Sequence, residues 1–196
     1  MAFQVEKFRQ AMRFDGARPN LFECRIPNVN GITNSKDTFM FKAAQLPQST
    51  VGVVPVPYFG REVRFAGNRT FTEWTVTVLN DEDFRVRDVF ETWHRRLNDN
   101  EFNLRAANKV SSADYAHDAL VTQFAKSGAP IRTYRFVGMF PTDITAIDLD
   151  WGSNDAIEEF TVTFTFQYWE LVKSDRDVAG AATTSQDGGG APAGPQ

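Results

Sequence analysis

From Phe160 onward apolar and polar residues alternate with almost no error: Phe160, Val162, Phe164, Phe166 and Tyr168 fall on one side, Thr161, Thr163, Thr165 and Gln167 on the other. A period of two over that length predicts a strand with one dry and one wet face. Trp74, Val76 and Val78 repeat the pattern against Thr75, Thr77 and Leu79. Shorter runs of β-formers between turn residues predict further strands at 21–26, 38–44, 51–56, 61–65, 119–125, 131–139 and 144–149. One stretch departs from this rhythm. After Asn80-Asp81-Glu82-Asp83 the apolar residues fall at Val86, Phe90, Trp93 and Leu97, the spacing of a helix near 83–97 that covers a sheet. Asn80 is placed to cap its first turn, the acids sit at its positive end, and Arg95 and Arg96 at its negative end.

The ends of the chain read differently. Val5, Phe8 and Met12 predict a short amphipathic helix before the turn at Asp15-Gly16. Residues 98–118 are polar and aperiodic, which predicts a long loop. Gly67-Asn68-Arg69-Thr70 reads as a hairpin turn between two strands. Beyond Lys173 the sequence collapses to Ala, Gly, Ser, Thr, Pro and Asp, so one domain is expected over 1–173 with a flexible tail over 174–196.

Composition narrows the function. The chain has 196 residues, 42% of them hydrophobic, enough for one core of good size. Its net charge of −4 argues against a basic groove that neutralises many phosphates. Cys24 is the single cysteine, so neither an intrachain disulfide nor a Cys-rich zinc site can form. No apolar run reaches bilayer length and no secretory leader is visible, so a soluble protein with no membrane partner is expected.

Candidate chemistry is thin. His94 lies one position off the apolar stripe of the helix and reads as solvent-facing, and His117 falls in the polar loop. Neither belongs to a Ser/His/Asp or metal-ligand pattern. Cys24, inside a predicted strand, reads as a small buried hydrophobe. The stretch from Asp148 to Glu159 has the length of a calcium loop, but Gly152 stands where an oxygen ligand is wanted and Ser153 where the turn needs glycine. A polar turn is the simpler reading. Phosphate-binding, dinucleotide-binding and nucleophile-elbow motifs are absent from the sequence, so no enzyme, cofactor or metal is expected.

A domain of strands with a covering helix must deal with its sheet edges, which template the joining of other chains. The sheet can close on itself, or identical copies can pair edges around a ring. Several segments bear on the choice. Ala17-Arg18-Pro19-Asn20-Leu21-Phe22, Lys42-Ala43-Ala44-Gln45-Leu46-Pro47, Ala66-Gly67-Asn68-Arg69-Thr70-Phe71, Phe140-Pro141-Thr142, Leu149-Asp150-Trp151 and Tyr168-Trp169-Glu170 lie in order along the chain. Together they resemble the tail tube protein of contractile-tailed, T-even-like bacteriophages. The connection at 28–37 is longer than that family suggests, and the tail extends past its usual end.

The resemblance implies a mainly β subunit with a flanking α-helix, barrel-like, joining its neighbours into a ring-shaped β-barrel. It further implies stacked hexameric rings inside a contractile sheath, built on a baseplate, with the tape-measure protein and DNA passing through the lumen. An acidic chain suits such a conduit, since an acidic wall repels phosphate. The segment 46–59 is the candidate contact between rings, because Leu46, Pro47, Val51, Val53, Val54, Val56 and Phe59 have no obvious local core to enter. Its rival reading is an irregular edge strand. The threonine faces, Thr75 and Thr77 or Thr161, Thr163 and Thr165, are the candidate lumen wall, since their opposite faces are too apolar to be wet. Two other functions remain open at this point: a tube in a secretion or injection particle, and a monomeric β-barrel whose phenylalanine-rich interior holds a small apolar ligand.

Overall fold

The computed structural model describes residues 5–12, 16–27, 40–105 and 111–174. The connection at 28–37 and the tail from 175 lie outside the described residues. The elements run α1 (Val5–Ala11), β1 (Phe22–Arg25), β2 (Phe41–Ala44), β3 (Ser49–Tyr58), β4 (Arg61–Phe71), β5 (Trp74–Leu79), α2 (Arg85–Leu97), α3 (Ser112–Tyr115), β6 (His117–Phe124), β7 (Pro130–Ile144), β8 (Glu159–Thr165) and β9 (Tyr168–Ser174). Seven strands form one antiparallel sheet in the order β1-β6-β7-β8-β5-β2, with β9 also on β7, and β3 pairs only with β4.

The long strand β7 organises the fold. Its first part pairs with β6 and β9, its last residues from Phe140 pair with β8, and a register shift sits near the join. The sheet bends back there, so Phe136 of the first half stacks on Trp74 of the second with ring centroids 4.5 Å apart. Helix α2 completes the enclosure: Phe90 lies edge-on to Phe160 and Phe164, and Val86, Val89 and Trp93 are buried with it. Each such side chain contributes roughly 1.5–3 kcal/mol by leaving water. The end strands β1 and β2 come close but form no ladder, so the barrel-like sheet does not close within one chain.

Both clear alternations are strands, and both point their apolar face into this core. Trp74, Val76, Val78, Phe160, Val162 and Phe164 are buried, while the intervening threonines are half-buried on the other side. The core phenylalanines pack on one another and the sheet is not closed into a barrel within the chain, which speaks against the ligand-barrel reading.

Five local expectations change. Asn80 does not cap α2: it is buried, and both its backbone N–H and its Nδ2 donate to Glu158, each at 2.9 Å. The cap position is Phe84, in the left-handed region at φ 51°, and the Asp83 carboxylate accepts instead from the Arg85 N–H at 3.0 Å. Residues 144–149 form no strand of their own. The chain leaves the sheet after Ile144, and the apolar residue that suggested a strand, Leu149, is 81% exposed. The alternation from Phe160 to Tyr168 spans a bend at Gln167, whose N–H donates to the Val137 carbonyl before β9 begins. His117 starts β6 and sets its ring against Trp93 at 5.1 Å, so it is not in a loop. Gly67-Asn68 is no turn either: both lie inside β4, opposite Gly52 at a bulge, where a Cβ on Gly67 would come within 3.1 Å of the Gly52 backbone.

Candidate assembly surface

The β3–β4 hairpin stands apart from the sheet, and its side chains sort by register. Directly opposed residues share a face, so Val54 with Phe65, Val56 with Val63, and Tyr58 with Arg61 lie together. Val53, Pro55 and Pro57 lie on the other face with Ala66, Arg64 and Glu62. The first face carries five apolar side chains, and each is exposed. An isolated two-stranded hairpin is marginal in water, and an apolar face of this kind marks a contact with another molecule.

From Ser49 to Tyr58 the expected contact segment is a strand of a two-stranded sheet with a bulge at Gly52, as the edge-strand reading has it. Leu46, Val51, Val53, Val54, Val56 and Phe59 are exposed and Pro47 is half-buried. The sequence reading missed Tyr58, Val63 and Phe65, which supply the rest of the apolar face. Their signal was present: Val63 and Phe65 alternate beyond the Phe59-Gly60 turn in the register that sets them opposite Val56 and Val54. Pro55 and Pro57 fall at alternate positions of β3, and the ladder to β4 runs past both. Their ring nitrogens therefore face the outer edge, where they remove donors that a stray strand would pair with.

The tip is unusual. A two-residue turn of this kind needs positive φ at both central positions, which Gly60 meets freely at 77°. Phe59 meets it at 44°, a region bulky side chains rarely enter, and it is 91% exposed.

The threonine candidates come together as one surface. In the β5–β8 ladder Thr75 faces Thr163 and Thr77 faces Thr161, so the two sets belong to a single polar face. Thr165 continues it, its hydroxyl donating to Glu73 at 3.3 Å, and Asp143 joins it opposite Thr163. Helix α2 lies against the apolar side of β8, opposite this half-buried threonine face.

Among the described residues the candidates His94, His117 and Cys24 lie on separate elements, α2, β6 and β1. His94 is exposed on α2. Cys24 is buried in β1, and burial, with a smaller push from Glu23, raises its thiol to about 12. In the loop after β7, Asp150 accepts from the Gly152 N–H at 3.0 Å and closes a turn. Among the described residues no three His, Cys, Asp or Glu side chains are placed to share a metal ion.

Among the described residues, an open sheet, a hairpin with an exposed apolar face and a joined threonine face are features that suit a subunit joining copies of itself. The sequence matches the family of phage tail tube proteins over residues 8–172. The chain belongs to that family. This tail tube family member is 36% identical over 160 residues to the tail tube protein of Enterobacteria phage T4, which covers 80% of this chain and 92% of that one. It is 27% identical over 130 residues to the tail tube protein of Serratia phage KSP90, covering 66% of this chain and 70% of that one. Its fold is similar to that of a chain in the sheath-tube complex of an extracellular contractile injection system, with a TM-score of 0.58 at 16% identity over 83% of this chain and 95% of the other.

Proposed function

We propose that the chain is a structural, non-enzymatic virion protein that assembles into stacked hexameric rings, the inner tube of a contractile phage tail and a conduit for DNA. The observation that carries this, within a tail tube family member, is the β3–β4 hairpin, whose five apolar side chains on one face are exposed among the described residues. Unpaired strands at the edges of the open sheet join neighbours around the ring, and the hairpin holds one ring to the next. The joined threonine faces line the lumen, where uncharged hydroxyls and an acidic balance let DNA pass without being held.

In this reading the partners are the chain itself, a surrounding sheath, a baseplate and a tape-measure protein, and the protein is made in the host cytoplasm. The likeness to a tube in an injection particle concerns the fold, whereas the 36% identity to a phage protein favours the phage tail. Val54→Asp and Val56→Asp test the assignment of the hairpin. Each variant should keep the native circular dichroism and melting temperature yet fail to extend tubes, because a buried carboxylate at the contact is costly. Tubes of normal length from both variants would remove the hairpin from the contact.

A further inference from the structure

The loop over 145–158 shares the hairpin's exposed apolar side chains and adds a cavity and negative charge. Trp151 is fully exposed, and Leu149 and Ile157 are exposed beside it. With Ala146 and Ile147 these residues line an open cavity of about 450 Å³. From 145 to 159 the chain carries Asp148, Asp150, Asp155, Glu158 and Glu159 and no cationic residue. Glu158 is engaged by Asn80 and Glu159 by Lys42, which leaves the acids of the loop tip to set its charge. The hairpin is the opposite in sign: Arg61, Arg64 and Arg69 stand against Glu62 alone.

The two features also sit at opposite ends of the same strands. The hairpin leaves the sheet beside Trp74, whose Nε1 donates to the Gln45 carbonyl at 2.7 Å, just before β3. The acidic loop enters the sheet at Glu159, which pairs with Leu79 at the far end of β5. One chain cannot bring them together, but copies stacked head to tail can.

We propose that the hairpin tip of one copy, led by Phe59, seats in the acidic cavity formed by residues 145–158 of the copy in the next ring. This rests on the stacked-ring reading and names the surface that receives the hairpin. Phe59 inserts its ring against Leu149, Trp151 and Ile157, and Arg61 and Arg64 meet Asp148 and Asp155 at the rim. Apolar character and charge both match across this contact, and the left-handed backbone at Phe59 is the local strain that holds its ring at the tip.

Charge reversal tests the pairing. Chains with Arg61→Glu and Arg64→Glu repel each other's loops, and so do chains with Asp148→Lys and Asp155→Lys, so each alone should lose tube growth. Mixed together they should regain it, because each hairpin then meets a loop of opposite sign in the next ring. Normal tubes from either variant alone, or no recovery on mixing of two natively folded variants, would overturn the pairing. If circular dichroism shows either variant unfolded, Glu62→Cys and Ser153→Cys chains co-assembled with the unaltered protein decide. A bis-maleimide should join the two kinds of chain within tubes, and tubes without that product would overturn the pairing. If the unaltered protein forms no tubes at all, it is the stacked-ring reading that fails.

Discussion

Two regions of this chain use the same kind of strand for opposite purposes. In β5 the alternating Trp74, Val76 and Val78 are buried by α2 and the folded-back sheet. In β3 and β4 the alternating Val54, Val56, Val63 and Phe65 face solvent. Alternation says that a strand has an apolar face, but what covers that face depends on the neighbours a chain can reach. For β5 the neighbour is in the same chain. For the hairpin the proposed neighbour is another copy, and the prolines on the outer edge of β3 keep uncontrolled pairing in check while the face stays available.

Substitutions separate the two regions. Phe90→Ala, in the core, should cost about 3–5 kcal/mol and be read as a lower denaturation midpoint of the isolated subunit. The same truncation at Phe65, on the hairpin, should leave the subunit within about 0.5 kcal/mol of the parent and act on assembly alone. A large stability loss at Phe65 would mean that the hairpin packs on its own chain and would end the contrast.

The threonine face offers a subtler probe. Thr161→Lys with Thr163→Lys should leave tubes intact but make them retain short duplex DNA at low salt and release it as salt rises, since basic side chains in a lumen bind phosphate. Tubes that retain no DNA would move the lumen wall elsewhere. The smallest effect belongs to Cys24. Its folded thiol is raised from 9.0 to about 12, so the fold favours the protonated form. That preference stabilises the protein fully below the unfolded thiol value and is lost as pH rises from about 9 toward about 12. Alkylation at pH 8 should therefore label the denatured chain and spare the native one, and rapid labelling of native protein would show that β1 opens.

Much of this was legible in the residues. The strands at Trp74 and Phe160 and the helix at Val86, Phe90, Trp93 and Leu97 follow from periodicity, and Cys24 from its place among β-formers. Long-range partners were not legible. Asn80 looked like a helix cap because it precedes three acids, but Glu158, distant in sequence, claims it. Gly67-Asn68 looked like a turn because glycine serves bulges and turns alike, and only pairing with Gly52 tells them apart. At the candidate assembly surface, 46–59 stands out in the sequence for apolar residues without a home, and the structure leaves most of them exposed, whereas Val63 and Phe65 join that face only once the register is known.

Electron microscopy of the purified protein at high concentration tests the central claim most directly. The account predicts rings and stacked tubes with an open lumen, formed by this chain alone. A field of dispersed single subunits at every concentration, with the native circular dichroism intact, would contradict it.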